Sequence, residues 1–291
     1  MENKMSTQVL ENSPGILGLY ARALLPKKAD PKASQLPNLV KKLVGVRADD
    51  KRVTRYNNVC GFKQGDTLAP TYPHMLAFPI HMEMMLDKAF PFALMGLVHV
   101  SNQITQIRPI AVSESIDIEC RFGDLRDHEK GKVIELWTTV YAAGEKVWES
   151  RSDMLARVKT EKGKAAKAKP VEAVATLTEN WKLPSNLGRR YAAVSGDSNP
   201  IHITGLSAKL FGFKGHIAHG MWTKARALAA VQAELPNSFN IEVQFKLPIF
   251  LPAEVGFYRE GPIANAQIEV RDQKGKKPHM RGQITAQSQQ S

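Results

Sequence analysis

The feature that most restricts how this chain can fold is an internal repeat. Pro79-Ile80-His81-Met82 lines up with Ile217-Ala218-His219-Gly220-Met221, which sets the two histidines 138 positions apart (219 less 81). Arg108-Pro109-Ile110 lines up with Leu247-Pro248-Ile249 at 139, and Tyr56 with Val59-Cys60-Gly61 lines up with Tyr191 and Val194-Ser195-Gly196 at 135. A near-constant offset over separate landmarks marks two copies of one supersecondary unit. In the first copy a Met-rich apolar helix at 81–86 precedes strands predicted at 97–107, 115–122, 133–142 and 145–156. In the second, an amphipathic helix at about 220–235 precedes strands at 241–247, 254–259, 264–271 and 280–287. Two equal helix-plus-meander units should join their sheets into one, an α+β architecture.

The 291 residues accommodate two such units with sizeable cores. Residues 1–45 read as a loosely packed lead-in whose short helix carries Ile16, Leu19, Tyr20, Ala23 and Leu24. The first repeat spans 46–157, a lysine-rich linker 158–170 and the second repeat 171–291. No apolar run approaches the ~18 residues that a membrane span needs, and the N-terminus lacks a basic region followed by an apolar core, so a cytoplasmic protein is expected. Cys60 and Cys120 are far apart and outside any Cys/His cluster, which points away from a disulfide framework and from zinc. The net charge of +12 suits a partner rich in phosphate or carboxylate. Of that, +4 lies in the linker (five lysines less Glu161) and the rest is spread out; no helix-turn-helix or RNA-recognition pattern accompanies it, and phosphates on a small cofactor or carrier account for it as well as nucleic acid does.

Chemistry concentrates in Tyr191-Ala192-Ala193-Val194-Ser195-Gly196-Asp197-Ser198-Asn199-Pro200-Ile201-His202. Pro200 fixes its own φ and biases Asn199 toward an extended conformation, so Asp197 and His202 can be aimed at one volume the size of a water molecule. Spacing leaves a second reading open, an ordinary turn in which Asp and Asn bond their own backbone. At the 135 offset Asp197 corresponds to Phe62 and His202 to Thr67, so the first copy keeps the frame and lacks the polar pair. Gly220 stands at a predicted helix start, where an unpaired N–H at the positive end of the dipole suits a developing oxyanion. His219 recurs as His81, which favours a structural role for both.

The run 191–202, followed by His219-Gly220-Met221, resembles the signature of the MaoC-like dehydratases, the (R)-specific enoyl-CoA hydratase 2 group. The first half resembles the inactive half of their double hot-dog members, in which a sheet wraps a long central helix. The resemblance implies reversible syn addition of water to a trans-2-enoyl thioester of CoA or acyl carrier protein, giving a (3R)-3-hydroxyacyl thioester. It implies one site per chain and no metal or other cofactor, and leaves a homodimer open. Asp197 would act as base and His202 as proton donor, with the reverse open because the two titrate as a pair. Asn199 would fix their geometry, and Tyr191 and Ser195 would line or brace the site. Lys214 and Arg226 are candidates for phosphate contacts, with plain surface solvation as the competing reading. Met75, Met82, Met84 and Met85 would govern the room left for the acyl chain. The rivals are a hot-dog thioesterase and a non-catalytic protein that binds acyl thioesters or an acidic carrier.

Overall fold

A computed structural model describes residues 6–158 and 176–287. The expected linker, beyond Val158, lies outside the described residues. The chain order is β1 (Ser6–Leu10), α1 (Ile16–Ala23), β2 (Leu39–Val46), α2 (Asp50–Cys60), α3 (Tyr72–Met85), β3 (Val98–Gln106), β4 (Ile116–His128), β5 (Gly131–Ala142) and β6 (Glu145–Arg157). It continues with β7 (Thr176–Leu183), α4 (Leu187–Ser195), α5 (Gly205–Leu210), α6 (Gly220–Ala230), β8 (Phe239–Phe245), β9 (Ala253–Glu260), β10 (Asn265–Asp272) and β11 (Pro278–Ala286).

All the strands form one 11-stranded sheet in the order β1-β2-β4-β5-β6-β3-β8-β11-β10-β9-β7. Around the central β3–β8 pair the two halves mirror one another: β2, β4, β5, β6, β3 on one side answer β7, β9, β10, β11, β8 on the other. That pair is antiparallel, with Ile104 opposite Ile241, both fully buried. The joined double sheet expected from the repeat is therefore present. Lys224 of α6 fastens its seam, donating from Nζ to Asn102 O, Asn102 Oδ1 and Ile241 O at 3.0, 2.6 and 3.2 Å.

Helix α3 packs on β4 and β5, and α6 on β10 and β11. In α3, residues from Tyr72 to Met85 are buried on nearly every side, the mark of a helix enclosed by its own protein rather than laid on a surface. It starts nine residues earlier than the Met-rich stretch implied (81 less 72), with Pro73 in the first turn and Pro79 inside the helix. A first-turn proline loses no hydrogen bond, because its N–H would be unpaired there anyway.

Two expectations need correction. The lead-in 1–45 is not loose: β2 belongs to the sheet, pairing with β4, and β1 adds to it in parallel. Each repeat thus begins with the strand that flanks its meander, β2 beside β4 and β7 beside β9. The histidine alignment also fails in space, since His219 is the N-cap of α6 while His81 lies near the C-terminal end of α3. The equivalent helices start at Tyr72 and Gly220, 148 apart (220 less 72). An insertion between α4 and α6 raises the offset from 135 to 148, and Thr67 is not the partner of His202. Thr67 bridges Ala111 as Ile217 bridges Phe250.

Candidate active site

Helix α4 ends at Gly196, whose φ of 83° lies in the left-handed region that a glycine C-cap supplies. Next comes a ladder of local bonds. Asp197 N donates to Ser195 Oγ at 3.1 Å, Asn199 N to Asp197 Oδ1 at 3.2 Å, and Ile201 N to Asn199 Oδ1 at 3.3 Å. Asn199 is extended (φ −53°, ψ 127°) ahead of Pro200, and the short 3₁₀ turn Pro200–His202 follows. Both readings of the sequence hold together: the stretch is a turn in which Asp and Asn bond their own backbone, and that turn presents the carboxylate and the imidazole to one cavity.

His202 is buried, and its Nδ1 lies 2.8 Å from Ile217 O. A carbonyl only accepts, so Nδ1 carries the hydrogen and Nε2 of the neutral ring offers its lone pair. Burial lowers the His202 pKa, against the opposing pull of Asp197. His219 Nε2 donates likewise to Asp197 O at 2.9 Å, and its ring stacks on His202 with centroids 3.6 Å apart. Burial, reinforced by His202, pushes His219 down to about 3. Burial opposes ionisation of Asp197, but His219, His202, the Asn199 N–H and the Tyr20 hydroxyl outweigh it and hold the carboxyl below its usual value. At neutral pH the site therefore holds an aspartate and two neutral imidazoles. His202 has no proton to spare at rest, so it donates only after it has accepted one.

The cavity, about 250 Å³, is lined at one end by the exposed Lys246, Leu247 and Pro248. It passes Asp197, His202 and Gly220 and continues between α3 and the first-half sheet, where Met75, Met85, Leu136 and Met154 line it. Gly220 is the first residue of α6, so its N–H has no acceptor within the helix. A Cβ at 220 would come within 3.0 Å of the Phe245 ring. Close packing of Phe245 accounts for the glycine.

Comparisons with known proteins place the chain in a family. Residues 160–276 match the MaoC like domain family. The 3-hydroxyacyl-thioester dehydratase X of Mycobacterium tuberculosis is 36% identical over 258 residues, covering 86% of this chain and 90% of that protein. The chain belongs to the MaoC-like dehydratase family. The crystal structure of the M. tuberculosis protein, HtdX, superimposes with a TM-score of 0.77 at 34% identity, over 84% of this chain and 99% of that one. A MaoC-like dehydratase from Phytophthora capsici shares the fold, with a TM-score of 0.66 at 18% identity over 86% and 95% of the two chains.

Within this MaoC-like dehydratase, Asp197, Asn199, His202, Gly220, Tyr191 and Ser195 all line the one cavity. Tyr191 packs against the His219 ring at 4.8 Å. Lys214 is exposed beside Phe213, which lines the cavity while Lys214 does not. Arg226 does not fit a phosphate contact: it is spent on Glu179 of β7 (2.7 Å) and lies over the Trp181 ring at 4.7 Å. Of the exposed basic residues, Lys246 and Arg157 line the cavity.

Two contributors are absent from the sequence reading. The Tyr20 hydroxyl accepts from Ser198 N at 2.6 Å and donates to Asp197 Oδ1 at 3.3 Å. Burial and the Asp197 charge keep that phenol protonated. Gly188 of α4 is the second. A Cβ there would lie 2.0 Å from the His202 carbonyl, so only glycine lets the helix pass that close. Asp197, His202 and His219 bring ligand-type atoms within 4.8 Å of one another. The imidazole lone pairs lie in planes only 24° apart and stacked, so they do not converge on a single ion.

Proposed function

We infer that the protein interconverts trans-2-enoyl and (3R)-3-hydroxyacyl thioesters by adding and removing water. The observation that carries this is the convergence of the Asp197 carboxylate and the unprotonated Nε2 face of His202 on a cavity that begins at a helix N-terminus and continues as a largely apolar channel. Kinship with the M. tuberculosis 3-hydroxyacyl-thioester dehydratase X supports the same reading.

One water donates its two hydrogens to Asp197 and His202. As its oxygen bonds to C3, an O–H bond breaks and the proton passes to the pair. Electrons move through C2 to the thioester oxygen, where the Gly220 N–H and the α6 dipole stabilise the charge. The pair then delivers a proton to C2, with addition on one face because both groups stand on the same side of the cavity. Asp197 as base with His202 as relay, or the reverse, are two descriptions of one coupled titration. Asn199, Ser195 and Tyr20 hold Asp197 in place, and His219 braces its carbonyl. The end of the cavity lined by Lys246, with Lys214 close by, would take the phosphates of CoA or of a carrier protein's phosphopantetheine.

The test is loss of the conjugated-thioester absorbance when protein is mixed with trans-2-enoyl-CoAs or enoyl carrier proteins of several lengths. The product should be the 3R alcohol with the thioester intact. Release of free thiol would instead mark a thioesterase, and binding without turnover a non-catalytic protein.

A further inference from the structure

Beyond the catalytic pair the cavity departs from a hydrocarbon channel. Helix α3 turns His74, Phe78, His81 and Met85 to it at successive turns, and His99 at the start of β3 faces them. The imidazoles form a row. His74 lies 5.2 Å from His81 and stacks on His99 at 6.0 Å, while His99 meets the edge of Phe245 at 5.1 Å. Phe245 is the ring packed against Gly220, so the row begins two side chains from the helix N-terminus at the reacting end. The buried Ser152 lines the same stretch.

His81 Nε2 is satisfied, 2.6 Å from Thr138 Oγ1. His74 Nδ1 and His99 Nε2 are buried with no hydrogen-bond partner among the described residues. Both rings line the cavity, so a polar occupant there can pair with their nitrogens. Burial pushes His81 to about 3 and His99 to about 4, and holds His74 well below the usual value, so all three rings are neutral at pH 7. A neutral imidazole both donates and accepts, which matches a hydroxyl or a carbonyl. The buried Lys224 is close, but all three of its N–H bonds are taken at the sheet seam and none remains for a ligand.

We propose that this site selects enoyl thioesters whose acyl chain carries an uncharged oxygen, a hydroxyl or a carbonyl, hydrogen-bonded by His74 and His99. This rests on the cavity being an enoyl-thioester site. The competing occupant is a chain with a terminal carboxylate, because the exposed Arg157 also lines the cavity.

The experiment compares kcat/KM for trans-2-enoyl-CoAs of equal length that are plain, hydroxylated or oxo-substituted at successive carbons beyond the double bond, or carboxylated at the end. Calorimetric binding of the corresponding saturated, unreactive acyl-CoAs is measured beside it. At least one hydroxy or oxo chain should exceed the plain chain by about tenfold or more, in turnover and in binding alike. The ratio should fall toward one in His74→Leu and His99→Leu and be partly kept in His74→Gln and His99→Gln, with thermal melts showing that each variant is folded. If the leucine variants do not fold, the wild-type panel and the glutamine variants decide. A plain or carboxylated chain that equals or beats every hydroxy and oxo chain overturns the proposal, as does a preference that survives both leucine variants. Should no enoyl thioester turn over at all, the hydration reading fails, and the binding ratios still judge the oxygen preference.

Discussion

The two halves part company in a single connection. In the first half the chain leaves α2 through Gly61 (φ 86°) and reaches α3 at Tyr72 eleven residues later. In the second it leaves α4 through Gly196 (φ 83°) and needs 24 residues (220 less 196) to reach Gly220. Both connections end alike: Leu68 N donates to Ile110 O at 2.8 Å and Ala218 N to Ile249 O at 2.9 Å. The thirteen extra residues (24 less 11) hold the 3₁₀ turn with His202 and the short α5, closed by a capping box between Thr204 and Ser207. The first half fills the start of its short connection with the buried Phe62. Similar frames thus carry different connections, and the longer one, not the frame, carries His202.

Breaking the difference at its centre has the largest expected effect. Asp197→Asn and His202→Ala should each lower kcat/KM by roughly 10²- to 10⁴-fold with unchanged circular dichroism; near wild-type rates would show that the reacting water sits elsewhere. Gly188→Ala comes next. Its methyl cannot coexist with the His202 carbonyl, so the turn must shift, at a cost of about 1–3 kcal/mol for overpacking and roughly tenfold in rate, read from a thermal melt and kinetics together. Tyr20→Phe should be milder, a several-fold loss on the scale of one hydrogen bond of about 1 kcal/mol. Tyr20 helps to hold the Asp197 pKa down, so its removal should move the acid limb of the kcat/KM profile to higher pH; an unmoved limb would mean that Asp197 is not the group titrating there. The smallest effect is none. Phe62→Asp with Thr67→His in the Asp197→Asn background should restore no activity, because Thr67 takes the place of Ile217 and not of His202.

Much of this was legible in the chain, for reasons that differ residue by residue. The Asn199-Pro200 turn and the paired αL glycines depend on local backbone preference, so sequence reveals them. The eight predicted strands were legible through alternation and turn residues. The opening strands β2 and β7 were not: β7 is mostly exposed, and its partner β9 lies some seventy residues further along. Missing β7 is what misled on Arg226, whose partner Glu179 sits there. Gly188 looks like a weak point in a helix until the His202 carbonyl is placed against it. The likeness of His81 to His219 was coincidental, because an insertion does not announce itself in a repeat whose other landmarks agree. Tyr20 acts on Asp197 across 177 positions, and helical spacing in the lead-in reports only that a face is apolar.

Tyr20 arrives on a short arm. Around it α1 is tied down by the exposed Arg22–Glu83 pair at 2.6 Å, Lys27 bonded to Asp87 O at 2.8 Å, and Ile16 resting on Gly196. A two-turn helix that buries only Leu19 and Ala23 opens at a fraction of the free energy that unfolds a buried sheet. On warming, catalysis should therefore fade before the cooperative melt, with amide exchange in 16–23 quickening first. The enzyme's working temperature would then be set by the attachment of one helix and not by the strength of its core.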